Sequence, residues 1–136
     1  RLVAPGVTLV VPAHCSVAHA EIVAIVIAQQ AMASFDLGAP GLPPMQLVSS
    51  TEPCAMCMGA IPWSGVVELA CGARDEDARR IGFDEGPKVP DWEGALAQRG
   101  IRVRTDVCRE EVVAVLEAYL AGGGPIYNAR QGGTAR

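Results

Sequence analysis

The sequence predicts an α/β fold, a sheet layered between helices, and three observations carry that prediction. Short β-branched or apolar runs alternate with helical stretches along the chain. Half of the 136 residues are apolar and 19% are charged, a composition able to pack a core. No linker and no repeat with a period of about 20–50 residues interrupts the pattern, so residues 1–136 are expected to form one domain.

The elements follow in order. Val7–Val11 is a β-branched run after Pro5-Gly6 and reads as a strand. From about Val17 to Ala33 the composition is helical. Its apolar residues, Ile22, Val23, Ile25, Val26 and Ile27 among them, lie on nearly all sides, so this helix is expected to be buried or covered by a partner. Asp36–Pro44 is a Gly- and Pro-rich loop. Met45–Ser49 reads as a second strand, and Thr51–Pro53 leads into a short helix from Cys54 to about Ile61. Val66–Cys71 reads as a third strand and Asp75–Ile81 as a short helix. Phe83–Pro90 is a loop without a core signature. Trp92–Gln98 is a weak helix stopped by Gly100, and Ile101–Thr105 a fourth strand of alternating pattern. Arg109–Ala121 is a helix closed by Gly122–Gly124, after which the tail from Pro125 is polar and irregular.

Composition excludes several classes. The longest unbroken apolar run, Ile22–Ala28, has seven residues, far short of the ~18 that a membrane span needs. No charged and apolar leader opens the chain, so no signal peptide is visible. Fifteen acidic residues against eleven basic ones give a net charge of −4, and the basic residues are scattered. A protein that neutralises a phosphate backbone concentrates them instead, so a nucleic-acid partner is not expected. Five cysteines is an odd count for a disulfide framework, which points to a reducing compartment, the cytoplasm.

In such a compartment a close cysteine pair reads first as a metal or catalytic site. Pro53-Cys54-Ala55-Met56-Cys57 opens the second helix, and His19-Ala20-Glu21 opens the first. Cys-x-x-Cys at a helix N-terminus puts both sulfurs on one side of the first turn, where free N–H groups and the helix dipole favour thiolate. The two sulfurs take two corners of a tetrahedron around zinc, and a histidine from another helix end takes the third. Three protein ligands leave one position for water, which is catalytic and not structural geometry. Cys15, Cys71 and Cys108 are scattered singly and supply no fourth ligand. Glu21 lies roughly 200° around the helix from His19, a poor co-ligand, yet at an irregular first turn it can lean over the open position and carry protons. Histidine-x-Glu followed by Pro-Cys-x-x-Cys is the known signature of zinc deaminases, and this chain matches it.

From these residues the chain resembles the cytidine deaminase-like superfamily. Ala18–Ile22, Ser50–Ile61 with Trp63, Ile81–Gly86 and Ile126–Arg130 are similar to the bacterial guanine deaminases within it. The resemblance covers essentially the whole chain and implies a three-layer α/β/α cytidine deaminase-like fold around a central mixed sheet. The usual N-terminal helix and first strand of that fold are expected to be missing from this chain. It implies hydrolysis of guanine to xanthine and ammonia, one Zn²⁺ per chain held by His19, Cys54 and Cys57, and Glu21 as proton shuttle. It places Glu85 as a second catalytic carboxylate near the 2-amino side of the base. It implies Thr8, Ala20, Trp63, Phe83 and Glu85 as substrate contacts, and a homodimer whose tail helps to close the site. One departure stands out. The family carries Asn eleven residues before the ligand histidine, and here that position is Thr8. A hydroxyl lacks the paired donor and acceptor of an amide. Deamination of a related amino-heterocycle (an aminated triazine, cytosine or a nucleoside) therefore stays open beside guanine, as does a catalytically inactive zinc-binding protein.

Overall fold

The computed structural model describes residues 1–129. In chain order they form α1 (Ala20–Met32), β1 (Gln46–Thr51), α2 (Ala55–Ser64), β2 (Glu68–Ala73), α3 (Asp75–Arg80), α4 (Trp92–Ala97), β3 (Arg102–Arg104) and α5 (Arg109–Ala121). The sheet has the order β1-β2-β3, with Leu47 opposite Leu69 and Leu69 opposite Val103. The α/β architecture is the expected one.

Two particulars of the expected sheet fall away. Among the described residues all the strands run parallel, where a mixed sheet was anticipated. Val7–Val11 is not a strand. Strand propensity needs a neighbouring strand to take its backbone groups, and none lies alongside. Those groups turn inward instead. Leu9 N–H donates to the Ala18 carbonyl at 2.8 Å, and Ala13 and Cys15 donate to Leu9 and Val10 at 2.9 and 3.1 Å. Pro12 has no N–H to offer a ladder.

β2 is the centre of the core. Its residues Leu69–Ala73 are all buried, as a parallel strand covered on both faces should be. Leu47, Ile61, Leu69, Leu96 and Ile101 pack together around it, with Ile25 and Ala28 from α1. α1 buries only Ile25 and Ala28, while Val26 and Ile27 are exposed, so the all-round apolar helix has one open face. Gly72 marks the closest approach of α5 to the sheet. A Cβ there would stand 2.7 Å from the Ser50 carbonyl and 2.8 Å from a Val112 methyl.

α3 and α5 are tied by a buried carboxylate. Asp77 is 2% exposed. Its Oδ2 accepts from the Arg74 N–H at 2.8 Å, which caps α3, and from Arg109 Nε at 2.8 Å. Its Oδ1 accepts from Arg109 Nη2 at 3.1 Å and Arg80 Nη1 at 3.3 Å. The Phe83–Pro90 loop also has an inner anchor, which the expectation of no core signature did not foresee. Lys88 is 8% exposed, its Nζ lies 3.2 Å from Glu52 and 3.1 Å from Asp75, and it stands over the Trp92 ring. No helix among the described residues is long and apolar enough to cross a membrane.

Candidate metal centre and adjoining cavity

Two helix N-termini face each other at the C-terminal end of β1, and both carry the expected ligands. His19 is the extended residue just before α1, and Cys54 stands in the same position before α2. Their carbonyls already accept the first helical hydrogen bonds, from Val23 at 2.9 Å and Met58 at 2.8 Å. Cys57 lies one turn into α2, so the Cys-x-x-Cys spacing brings both sulfurs to the same side. Ligand atoms of His19, Cys54 and Cys57 all fall within 4.8 Å of one another. One imidazole and two thiols at that spacing fit a zinc ion.

The protons in this group reflect the crowding. The Cys54 thiol is held far below its usual range, first by a hydrogen bond from Cys57 and then by His19. The Cys57 thiol is pushed up by the same shared bond and by burial. Its hydrogen bond to Cys54 Sγ, 3.5 Å from Nδ1, raises His19. A bound cation would take the place of the proton that these groups share.

Glu21 stands beside this group. One carboxylate oxygen lies 3.5 Å from Cys57 Sγ and the other accepts from the Ser49 hydroxyl at 3.2 Å. The first-turn position and the β1 serine together hold the side chain toward the metal group.

A cavity of about 640 Å³ opens in front. His19, Ala20, Glu21 and Cys54 form one wall, and Gly6–Thr8 and Ser49–Glu52 flank it. Phe83, Asp84 and Glu85 line it as well, with α5 residues Leu116 and Tyr119 and the tail residues Tyr127–Ala129. Burial pushes the Glu85 carboxyl up to about 7, reinforced by the negative charges of Cys54, Asp75 and Glu21 and opposed by Lys88. Burial also raises the Tyr127 phenol, against a hydrogen bond with the Thr8 side chain.

Of the expected contacts, Thr8, Ala20, Phe83 and Glu85 reach the cavity and Trp63 does not. Trp63 is 84% exposed. It follows Cys54 by nine residues along α2, about 900° of rotation at 100° per residue, which puts it on the far side of the helix. Sequence reasoning missed Ser49, Tyr119, Tyr127 and Asn128. Tyr127 packs on Phe83 with ring centroids 4.9 Å apart and stands edge-on to His19 at 6.2 Å. The motif around Tyr127 was visible in the sequence, but nothing in it says that the tail folds back across the cavity. Arg130, the last residue of that motif, lies outside the described residues.

Comparison with known proteins places this geometry. The profile of the cytidine and deoxycytidylate deaminase zinc-binding region matches residues 2–73. Guanine deaminase of Bacillus subtilis (strain 168) is 37% identical over 84 residues, covering 62% of this chain and 51% of that protein. The structure of guanine deaminase from Nitrosomonas europaea aligns with a TM-score of 0.84 and 50% identity, covering 85% of this chain and 64% of that one. A structure of NE0047 in complex with 2,6-diaminopurine aligns with a TM-score of 0.86 and 52% identity, covering 92% of this chain and 66% of that one. The chain therefore spans between about half and two thirds of the length of these relatives.

Proposed function

Since this chain belongs to the cytidine and deoxycytidylate deaminase zinc-binding family, we propose that it hydrolyses the exocyclic amine of a free purine, guanine first, to give xanthine and ammonia. The observation that carries the proposal is the position of Glu21. It contacts Cys57 of the metal-binding group His19, Cys54 and Cys57, and it lines one cavity together with a second carboxylate, Glu85. The relatives named guanine deaminase and the bound 2,6-diaminopurine support the purine.

Bound by His19, Cys54 and Cys57, zinc supplies the Lewis acidity that makes water a nucleophile at neutral pH. Glu21 takes a proton from the attacking water as its oxygen bonds to the amine-bearing ring carbon. It returns that proton to a ring nitrogen of the base and then carries the proton of the added hydroxyl to the exocyclic amine, so that the carbon–nitrogen bond breaks, ammonia leaves and the oxygen becomes the carbonyl of the product. The Ser49 hydroxyl holds the other Glu21 oxygen and so fixes the direction of transfer. Glu85, half-buried and with its carboxyl pushed up to about 7 by desolvation, is suited to donate a hydrogen to the base or to accept one from it. Phe83 and Tyr127 offer flat apolar surface to a planar ring.

Thr8 favours a second reading of the substrate. It replaces the Asn expected there with a single hydroxyl. One matched polar contact in a buried pocket is worth about 1–3 kcal/mol, so a related amino-heterocycle with fewer polar edges competes with guanine. A small molecule is the partner in either case. Trp63 and Phe35, both large, apolar and strongly exposed, support a homodimer. Sedimentation velocity giving a monomer at micromolar concentration would remove that part. The five unpaired thiols support a reducing compartment, the cytoplasm in this reading.

The test is ammonia release from guanine by the zinc-loaded protein, with Glu21→Ala as control. Release by the parent and none by a variant that retains zinc is the expected result. Equal release by the two overturns the role of Glu21, and release from cytosine or a triazine but not guanine moves the substrate.

A further inference from the structure

We infer that Asn128 is a positioning residue that clamps the Gly82–Gly86 loop and so sets where Glu85 stands. The role of Glu85 in this inference rests on the deaminase reading above, whereas the clamp rests on geometry alone. Asn128 Oδ1 accepts from the Asp84 N–H at 2.9 Å, and its Nδ2 donates to the Gly82 carbonyl at 2.8 Å. A carboxamide carries a donor and an acceptor side by side, as a backbone peptide does. One side chain therefore grips both ends of a three-residue segment, in the manner of a neighbouring strand. Aspartate has the same shape but no donor for Gly82, and leucine has neither group.

Glu85 is the residue that follows this segment. Its own carbonyl accepts from the Ala55 N–H at 2.9 Å, at the start of the zinc-binding helix. Just beyond it, the Gly86 carbonyl accepts from Arg79 Nη2 at 2.8 Å, and Lys88 is buried between Glu52 and Asp75. The far side of the loop is thus held by α2, α3 and Glu52, the residue that follows β1. Its near side is held by the tail through Asn128. Gly82 enters the loop with φ of 108°, a conformation that any larger residue would resist, and Ile126 packs 3.7 Å from where a Cβ would stand.

The tail is itself anchored. Tyr119 Oη donates to the Pro125 carbonyl at 2.7 Å, and the Tyr127 ring packs on Phe83. Asn128 is therefore presented from a segment tied down on both sides of Ile126, and it lines the same cavity as Glu21. The same carboxamide thereby couples the tail over the cavity to the placement of a carboxylate inside it.

The experiment compares Asn128→Asp and Asn128→Ala with the parent, all zinc-loaded and each checked for one zinc per chain. Hydrogen exchange is followed in the peptide covering residues 82–86. Loss of the clamp should speed exchange there by about tenfold or more and leave β2 unchanged. With guanine as substrate, kcat should fall by about tenfold while KM changes by less than about threefold, the mark of a misplaced group and not of lost binding. In a Glu85→Gln background the same Asn128 change should cost little more. Unchanged exchange overturns the clamp. A full further loss in the Glu85→Gln background, or a lowered Tm with kcat intact, overturns the coupling to Glu85. If the parent releases no ammonia from guanine, it is the functional reading that fails, and the exchange arm alone decides the clamp.

Discussion

Replacing Asp77 by asparagine should unfold this protein more readily, and the structure sets how much. The carboxylate is 2% exposed and accepts from four donors: the Arg74 N–H, Arg109 Nε and Nη2, and Arg80 Nη1, at 2.8–3.3 Å. Asparagine keeps one acceptor oxygen and turns an NH₂ group toward donors. Removing one member of a buried charge pair costs about 3–5 kcal/mol. The Arg109 side chain is 31% exposed, so water recovers part of its solvation and the lower end applies, about 3 kcal/mol. For a chain of this length that corresponds to a drop in Tm of roughly 10 °C. Urea denaturation of parent and Asp77→Asn at neutral pH measures it, provided the slope with denaturant is unchanged.

The pH dependence gives a second, independent check. The Arg109 guanidinium holds the Asp77 carboxyl below its usual range. A depressed carboxylate stabilises the fold fully above its unfolded pKa of about 3.9, and that contribution fades as pH falls through the folded value. The gap between parent and variant should therefore be flat from about pH 5 to 8 and shrink below about pH 4. Replacing the pair together, Asp77→Leu with Arg109→Met, should recover part of the loss, because Arg109 no longer stands without its carboxylate, while Arg80 and the Arg74 N–H still lose theirs. A change below about 0.5 kcal/mol, or a gap that persists undiminished at pH 3, would refute the reasoning.

Two further outcomes follow from the geometry. Cys57→Ala should abolish stoichiometric zinc, measured by atomic absorption after gel filtration, since it removes a ligand whose sulfur is fully buried beside Cys54 and His19. A zinc content unchanged from the parent would move the metal elsewhere. Gly72→Ala should destabilise by about 1–3 kcal/mol in the same urea assay, because the added methyl meets backbone at Ser50 and Val107 as well as Val112, and backbone cannot swing aside. Equal stability would show that α5 can lift from the sheet without loss.

Part of the metal-binding group was legible because its placement is local. Cys54 and Cys57 come to one side of a helix start through the helical repeat, and a first-turn position put Glu21 within reach of both the metal group and β1. The helices and the three strands were legible through their apolar periodicity, and Arg109–Ala121 was found to the residue. Val7–Val11 was misread because strand propensity is a preference for a paired surface, and pairing is a property of neighbours. Trp63 carried a family resemblance to the pocket, yet in this chain the rotation of α2 turns it to solvent.

What the amino-acid order determined by itself, then, is the set of contacts that helix geometry dictates over a few residues: the Cys-x-x-Cys pair, the histidine and glutamate that open α1, and the alternation of elements. The tertiary structure alone decided which groups from distant parts of the chain meet. Asn128 reaches Asp84 over forty-four positions, and Lys88 reaches Glu52 over thirty-six. No local periodicity encodes such pairs, because closing a long loop has an entropic cost that only the packing of the whole fold offsets.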